Sequence, residues 1–155
     1  MSFKVPVRPQ RVKVKLVKNL SLIMDSSSIE LPGSELETIH TEDGCLRISF
    51  SRVIIIKTMT GSSERTRWWQ RGDLVMEGAE MDVALPLGPL VCAGGDIEDN
   101  IFTYRDMIPL PLVSRGCVGC DLGFYDTNAR LKVTASAMRM EMKGLPKYIE
   151  HMRPV

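Results

Sequence analysis

Long apolar runs are missing from this 155-residue chain. None exceeds four residues, as in Val53 to Ile56, whereas a helix needs ~20 to cross a bilayer. Residues 1–18 scatter their charges and show no apolar stretch followed by a small-residue cleavage site. No secretory signal is therefore expected, and a cytoplasmic location follows. Histidine is scarce: His40 and His151 stand alone, outside any metal or nucleophile motif, which leaves His-dependent catalysis without support. Gly-x-Ser-x-Gly, phosphate-loop and dinucleotide signatures are absent, and Gly94-Gly95 has neither the spacing nor the following helix for one. Cys45, Cys92, Cys117 and Cys120 are too few for a disulfide scaffold, so free thiols are expected.

What is there is an ordinary globular balance, 44% apolar and 25% charged, in a chain near the length of one domain. Residues 1–155 read as a single β domain without internal repeat or linker. A net charge of +1 names no partner, but its distribution is uneven. Residues 1–24 hold Lys4, Arg8, Arg11, Lys13, Lys15 and Lys18 and no acid, which leaves 14 cations against 19 acids, a net −5, in the remainder. Within this basic arm Val12, Val14 and Leu16 alternate with Arg11, Lys13 and Lys15, as in a strand with one apolar and one cationic face.

Alternation recurs along the chain. Leu46, Ile48 and Phe50 share a face, and the phase slips at Ser51-Arg52 before Val53 and Ile55, as a β-bulge requires. A second slip falls at Gly78, between Leu74/Met76 and Ala79/Met81/Val83/Leu85. A third separates Leu131, Val133, Ala135 and Ala137 from Met138, Met140 and Met142. Turns are expected at Asp25 to Ser28, Asp43-Gly44, Gly61-Ser62-Ser63, Arg71-Gly72-Asp73, Ala93 to Asp96 and Asp99-Asn100, with a loop at Pro32-Gly33-Ser34. Lys147 to Met152 is expected to form a short C-terminal helix. About seven to nine short, bulged strands with no long helical pattern between them predict an all-β fold, an antiparallel barrel or a two-sheet sandwich. The repeated slips favour the curved, barrel-like alternative.

Five groups of residues carry candidate chemistry. Arg65, Arg67, Trp68, Trp69 and Arg71 interleave cations with aromatic faces, a mixture that suits stacking of a ligand or packing on a partner. Met138, Met140 and Met142 form a thioether stripe that would wall a cavity if the fold encloses one, for a small apolar or aromatic ligand. Cys117-Val118-Gly119-Cys120 has the spacing of half a zinc or redox site, but residues three apart in a strand face opposite ways, and no second pair completes it. Tyr104 and Asp106 share a strand face and are the nearest thing to an acid–base pair. Finally, the basic arm and the Arg/Trp strand together would suit nucleic acid, although the overall charge is short of what such binders carry. The residues point first to a non-enzymatic ligand-binding or protein-assembly β module, homo-oligomers included, with no cofactor. An enzyme using Tyr104/Asp106 or the cysteine pair is the first alternative, and nucleic-acid binding the second.

Overall fold

Strand alternation organises the computed structural model, which describes residues 25–59, 64–81, 84, 86 and 88–153. Eight strands follow one another: β1 (Asp25–Glu42), β2 (Cys45–Met59), β3 (Arg65–Glu77), β4 (Leu90–Asp99), β5 (Phe102–Arg105), β6 (Met107–Leu110), β7 (Val113–Phe124) and β8 (Arg130–Met152). All pair antiparallel in one sheet of order β5-β4-β7-β8-β3-β2-β1-β6. A further pairing, Glu35 with Val91 and Leu36 with Leu90, joins β1 to β4 and closes a ring of hydrogen bonds through six strands. The fold is all-β and barrel-like, with β5 and β6 appended to the ring. Among the described residues no helix is long and apolar enough to cross a membrane.

Bulges supply the curvature. Phe50 pairs with Gly72 but Val53 with Gln70, so β2 carries one extra residue at Ser51-Arg52, where the alternation slips. The slip keeps Leu46, Ile48 and Phe50 before it, and Val53 and Ile55 after it, in the same core. β7 carries an extra residue between Arg115 and Val118 opposite β8, at Gly116-Cys117. On β8 the apolar phase reverses as expected, with Ala137 and Met138 both buried. Burial of Ile29, Leu36, Ile48, Phe50, Leu74, Ile97, Leu122 and Leu131, none more than 1% exposed, makes one interior cluster. At ~25 cal/mol per Å² of apolar surface, that cluster is the main force holding the ring shut.

Several expected turns are strand instead. Asp25 to Ser28 opens β1, Ala93 to Asp96 lies within β4, and Gly72 of the Arg71-Gly72-Asp73 tripeptide pairs with both Phe50 and Met142. Pro32-Gly33-Ser34 is a bend inside β1 rather than a loop. Buried Ser34 donates its Oγ hydrogen to the Glu30 carbonyl at 2.8 Å and accepts the Ile54 N–H at 3.0 Å, which satisfies backbone groups the bend would orphan. Lys147 to Met152 is the end of β8, paired with Arg65 to Trp69, and not a helix. In each case ladder pairing overrides a local preference. Beyond Gly78, β3 has ended, and Glu80 makes only a lone bridge to Thr134. The basic arm, the Gly61-Ser62-Ser63 loop, Val83 and Leu85 lie outside the described residues.

Candidate functional site

The ring does not extend over the full length of its strands. β7 pairs with β8 only as far as Arg139, and the Met140 N–H then reaches the Leu112 carbonyl at 3.0 Å. Past that point, among the described residues, β8 pairs with β3 alone, while β6 pairs with β1 alone. β1 causes the division, because Ser27 to Glu30 run beside β6 and, after the Pro32-Gly33 bend, Glu35 and Leu36 run beside β4. Half of the molecule is a closed ring and half is an open trough. Between β6 and β8 the trough forms a cleft of about 490 Å³.

Its wall is apolar: Ile55 from β2, Leu110 and Pro111 at the end of β6, and Met140 and Met142 from β8. Gly72 faces the two thioethers across the sheet, and a Cβ there would stand 2.9 Å from Met140 Cε and 3.3 Å from Met142 Sδ. Ser26, Ser27 and Gln70 supply hydroxyl and amide groups at the edge. Among the described residues its cation is Lys57, whose Nζ lies 4.5 Å from the centre of the Trp68 ring. Among the described residues no carboxylate pairs with it. Trp68 is held in turn by Tyr148, edge-on at 5.3 Å between ring centres, and by an Nε1–H bond to Thr66 Oγ1 at 2.8 Å. Registry accounts for this assembly, since Ile55, Trp68 and Tyr148 are direct cross-strand partners on β2, β3 and β8.

The Arg/Trp group is therefore divided by its strand. Trp68 turns to the interior face and packs against the core, whereas Trp69 lies on the outer face between Arg52 and Lys147, each 5.7 Å from its ring. Arg67 pairs with Glu150 and, at 3.5 Å, with Glu30; Arg71 pairs with Glu37 at 2.9 Å; Arg65 is exposed at the start of β3. These arginines do not gather into one surface, and two already face carboxylates. Of the methionine stripe, Met138 is buried in the core and only Met140 and Met142 reach the cleft. Lys57 carries no motif, but its phase was readable, because Val53, Ile55 and Lys57 lie on one face and place a lysine where an apolar residue is expected.

The cysteine pair is split as strand geometry requires: Cys117 is exposed and Cys120 is buried beside Met76, sulfur to sulfur 4.0 Å. Burial pushes the Cys120 thiol up to about 12 and the Cys92 thiol up to about 11, so neither is a nucleophile near neutrality. Among the described residues no cluster of three or more His, Cys, Asp or Glu side chains is placed to hold a metal. Cys117 lies in a second recess of about 650 Å³ that includes Glu80, Glu98, Asn100 and Thr134, a polar hollow in which its N–H is tied to Asn100 Oδ1 at 3.0 Å. Tyr104 stacks on Phe102 at 6.4 Å. Asp106 is a corner residue with φ of 62°: its Oδ1 accepts the Gly95 N–H at 2.9 Å, and its own N–H and carbonyl bond Gly95 and Leu31. Its carboxylate serves the backbone rather than a pocket.

On the outer face of β2, β3 and β8, Arg47 bonds Asp73 at 2.6 Å and Glu141 at 3.0 Å, and Arg139 bonds Glu141 at 2.7 Å and Glu77 at 3.0 Å. Hydrogen bonds from Arg139 and then Arg47 hold the Glu141 carboxyl below the usual carboxylate range. Lys143, 3.7 Å from Asp73 and 3.8 Å from Glu141, brings three cations against three carboxylates, and the neutral network covers buried Val75, a structural role. In the cleft an apolar wall meets a lysine that lies over the Trp68 ring and has no carboxylate partner among the described residues. No family model, curated protein or solved structure matches this chain.

Proposed function

We propose that this protein is a non-enzymatic binding module whose site is the cleft between β6 and β8. Its ligand is a small amphiphile with an apolar or aromatic body and an anionic group. The observation that carries this reading is Lys57, a cation set among Ile55, Met140 and Met142 with the Trp68 ring as its neighbour. A volume near 490 Å³ falls in the range of small-molecule sites, ~300–1,000 Å³. Thioethers suit such a wall because they repack around ligands of differing shape. A cytoplasmic setting is part of the same proposal, since four free thiols suit a reducing compartment.

The test uses 1-anilinonaphthalene-8-sulfonate, an aromatic sulfonate that fluoresces when shielded from water and accepts energy from tryptophan. Saturable binding at one site with loss of tryptophan emission is expected. Lys57→Gln should weaken it about tenfold, the loss of one partly screened charge pair, and Met140→Glu should abolish it. Circular dichroism checks that both variants fold. Binding that ignores both substitutions, or no binding at all, overturns the proposal.

A further inference from the structure

The cleft opens between two unlike rims. Met107 to Val113 hold no charged residue, and Pro109 and Pro111 leave that rim poor in backbone donors. The β8 rim is cationic: from Met142 to Arg153 it carries Lys143, Lys147 and Arg153 against Glu150, which Arg67 already neutralises. Lys147 and Arg153 have no carboxylate partner among the described residues, and Lys143 comes no nearer than 3.7 Å to one. This rim also projects. Lys143 pairs with Arg71 and Lys147 with Trp69, so Gly144, Leu145 and Pro146 stand opposite Gln70 alone. Gly144 turns there with φ of 71°, and its carbonyl accepts a hydrogen bond from Gln70 Nε2 at 2.9 Å, which ties the bulge to a residue of the cleft. Leu145 in the bulge is 82% exposed, and Tyr148 just past it is 55% exposed.

We infer that this rim docks on an anionic bilayer, with Leu145 and Tyr148 entering the interface and Lys143, Lys147 and Arg153 at the level of the phosphates. Three features select that partner. A bulge, a proline and flanking lysines are the devices that stop an edge from adding a strand, so the rim is not built for a β-partner. Cations beside a projecting leucine and a tyrosine suit a lipid interface, because apolar groups enter the acyl boundary while lysine stems reach back to anionic headgroups. A nucleic acid would meet the lysines but offers Leu145 no apolar place, and the outward ring of Trp69 is already flanked by Arg52 and Lys147. Docked in this way, the mouth between the uncharged rim and the cationic rim opens on the leaflet. This last step rests on the cleft reading, and it makes the leaflet the source of the amphiphile.

Cosedimentation of the full chain with vesicles tests it, using phosphatidylcholine alone and phosphatidylcholine with about one-third phosphatidylserine. Binding to the anionic vesicles is expected, weak on the neutral ones and falling as salt rises. The pair Lys143→Gln and Lys147→Gln should lower it about tenfold, and Leu145→Ser about fivefold, with circular dichroism unchanged. Lys132→Gln, on the ring half of β8, should leave it as it was. Binding that survives both rim changes overturns the inference, because the charge of residues 1–24 would then suffice. Loss with the lysine pair but not with Leu145→Ser overturns it too, as does displacement from the vesicles by a single-stranded oligonucleotide, which would make nucleic acid the partner. Failure is separable from failure of the ligand reading. Lys57-dependent binding of 1-anilinonaphthalene-8-sulfonate without vesicle binding removes only the membrane contact. Vesicle binding that needs Leu145 and the lysines, with no dye binding, removes only the ligand.

Discussion

At the residue scale the four thiols are not equivalent. Desolvation, more than any charge nearby, raises Cys120 to about 12 and Cys92 to about 11. Cys117 shares a tetrapeptide with Cys120 but faces solvent. Ellman's reagent at pH 8 should therefore label Cys117 in the native protein and reach Cys92 and Cys120 only on unfolding. Rapid labelling of Cys120 in the folded state would show that β7 does not sit as described. The same two thiols link stability to pH. Unfolded thiols ionise near 9.0 while the folded ones keep their protons, so the unfolded state binds fewer protons and stability falls as pH rises from about 9 toward 11 and 12. Each contributes up to ~1.4 kcal/mol per pH unit in that window. Cys120→Val should flatten the alkaline decline, read as the pH dependence of the urea midpoint.

Among the elements, β2, β5, most of β7, the first part of β8 and much of β3 were readable from alternation, and the Ser51-Arg52 bulge from a single slip in phase, whereas β1 and β4 were hidden by the turn-forming residues they contain. The turns were less so. Gly94-Gly95 and Arg71-Gly72-Asp73 carry turn-forming residues, yet both are strand, because glycine also serves where two backbones approach closely. Gly95 is the clearest case. Its φ is 155°, and a Cβ would lie 2.2 Å from the Asp121 carbonyl and 2.8 Å from Leu122 Cα, both fixed backbone atoms of β7. Gly95→Ala should cost ~3 kcal/mol or more, since neither backbone can yield without loss of the β4–β7 ladder. Gly72→Ala is the control, because its nearest contact is the flexible end of Met140. With the Glu141 carbonyl also 3.2 Å away, it should cost about 1–2 kcal/mol by chemical denaturation, less than Gly95→Ala. The site was half readable for a related reason. Periodicity marks Trp68 and the methionine stripe as notable, but only long-range pairing decides that Trp69 and Met138 are elsewhere and that Lys57 completes the cleft.

Over the whole molecule, the division into closed ring and open trough predicts two kinds of response to damage. The ring closes at Glu35-Leu36 against Leu90-Val91, and Leu36 is fully buried there. Truncation at this seam removes core contacts from β1, β2 and β4 together. Among the described residues the edges it exposes have no other partner, so the loss spreads beyond one strand. Leu36→Ala should cost ~2–5 kcal/mol and speed hydrogen exchange in all six ring strands. Tyr148 lies on the trough side, where β8 has one neighbour, and is half exposed. Tyr148→Ala should remove its contact with Trp68, of order 1 kcal/mol, and speed exchange only in the outer ends of β3 and β8. Local opening of that end would leave the ring unbroken. The pair of variants therefore measures whether the molecule separates its stability from its binding. Equal spread of the two effects through all the strands would mean that trough and ring unfold as one unit, and that the cleft opens only when the ring does.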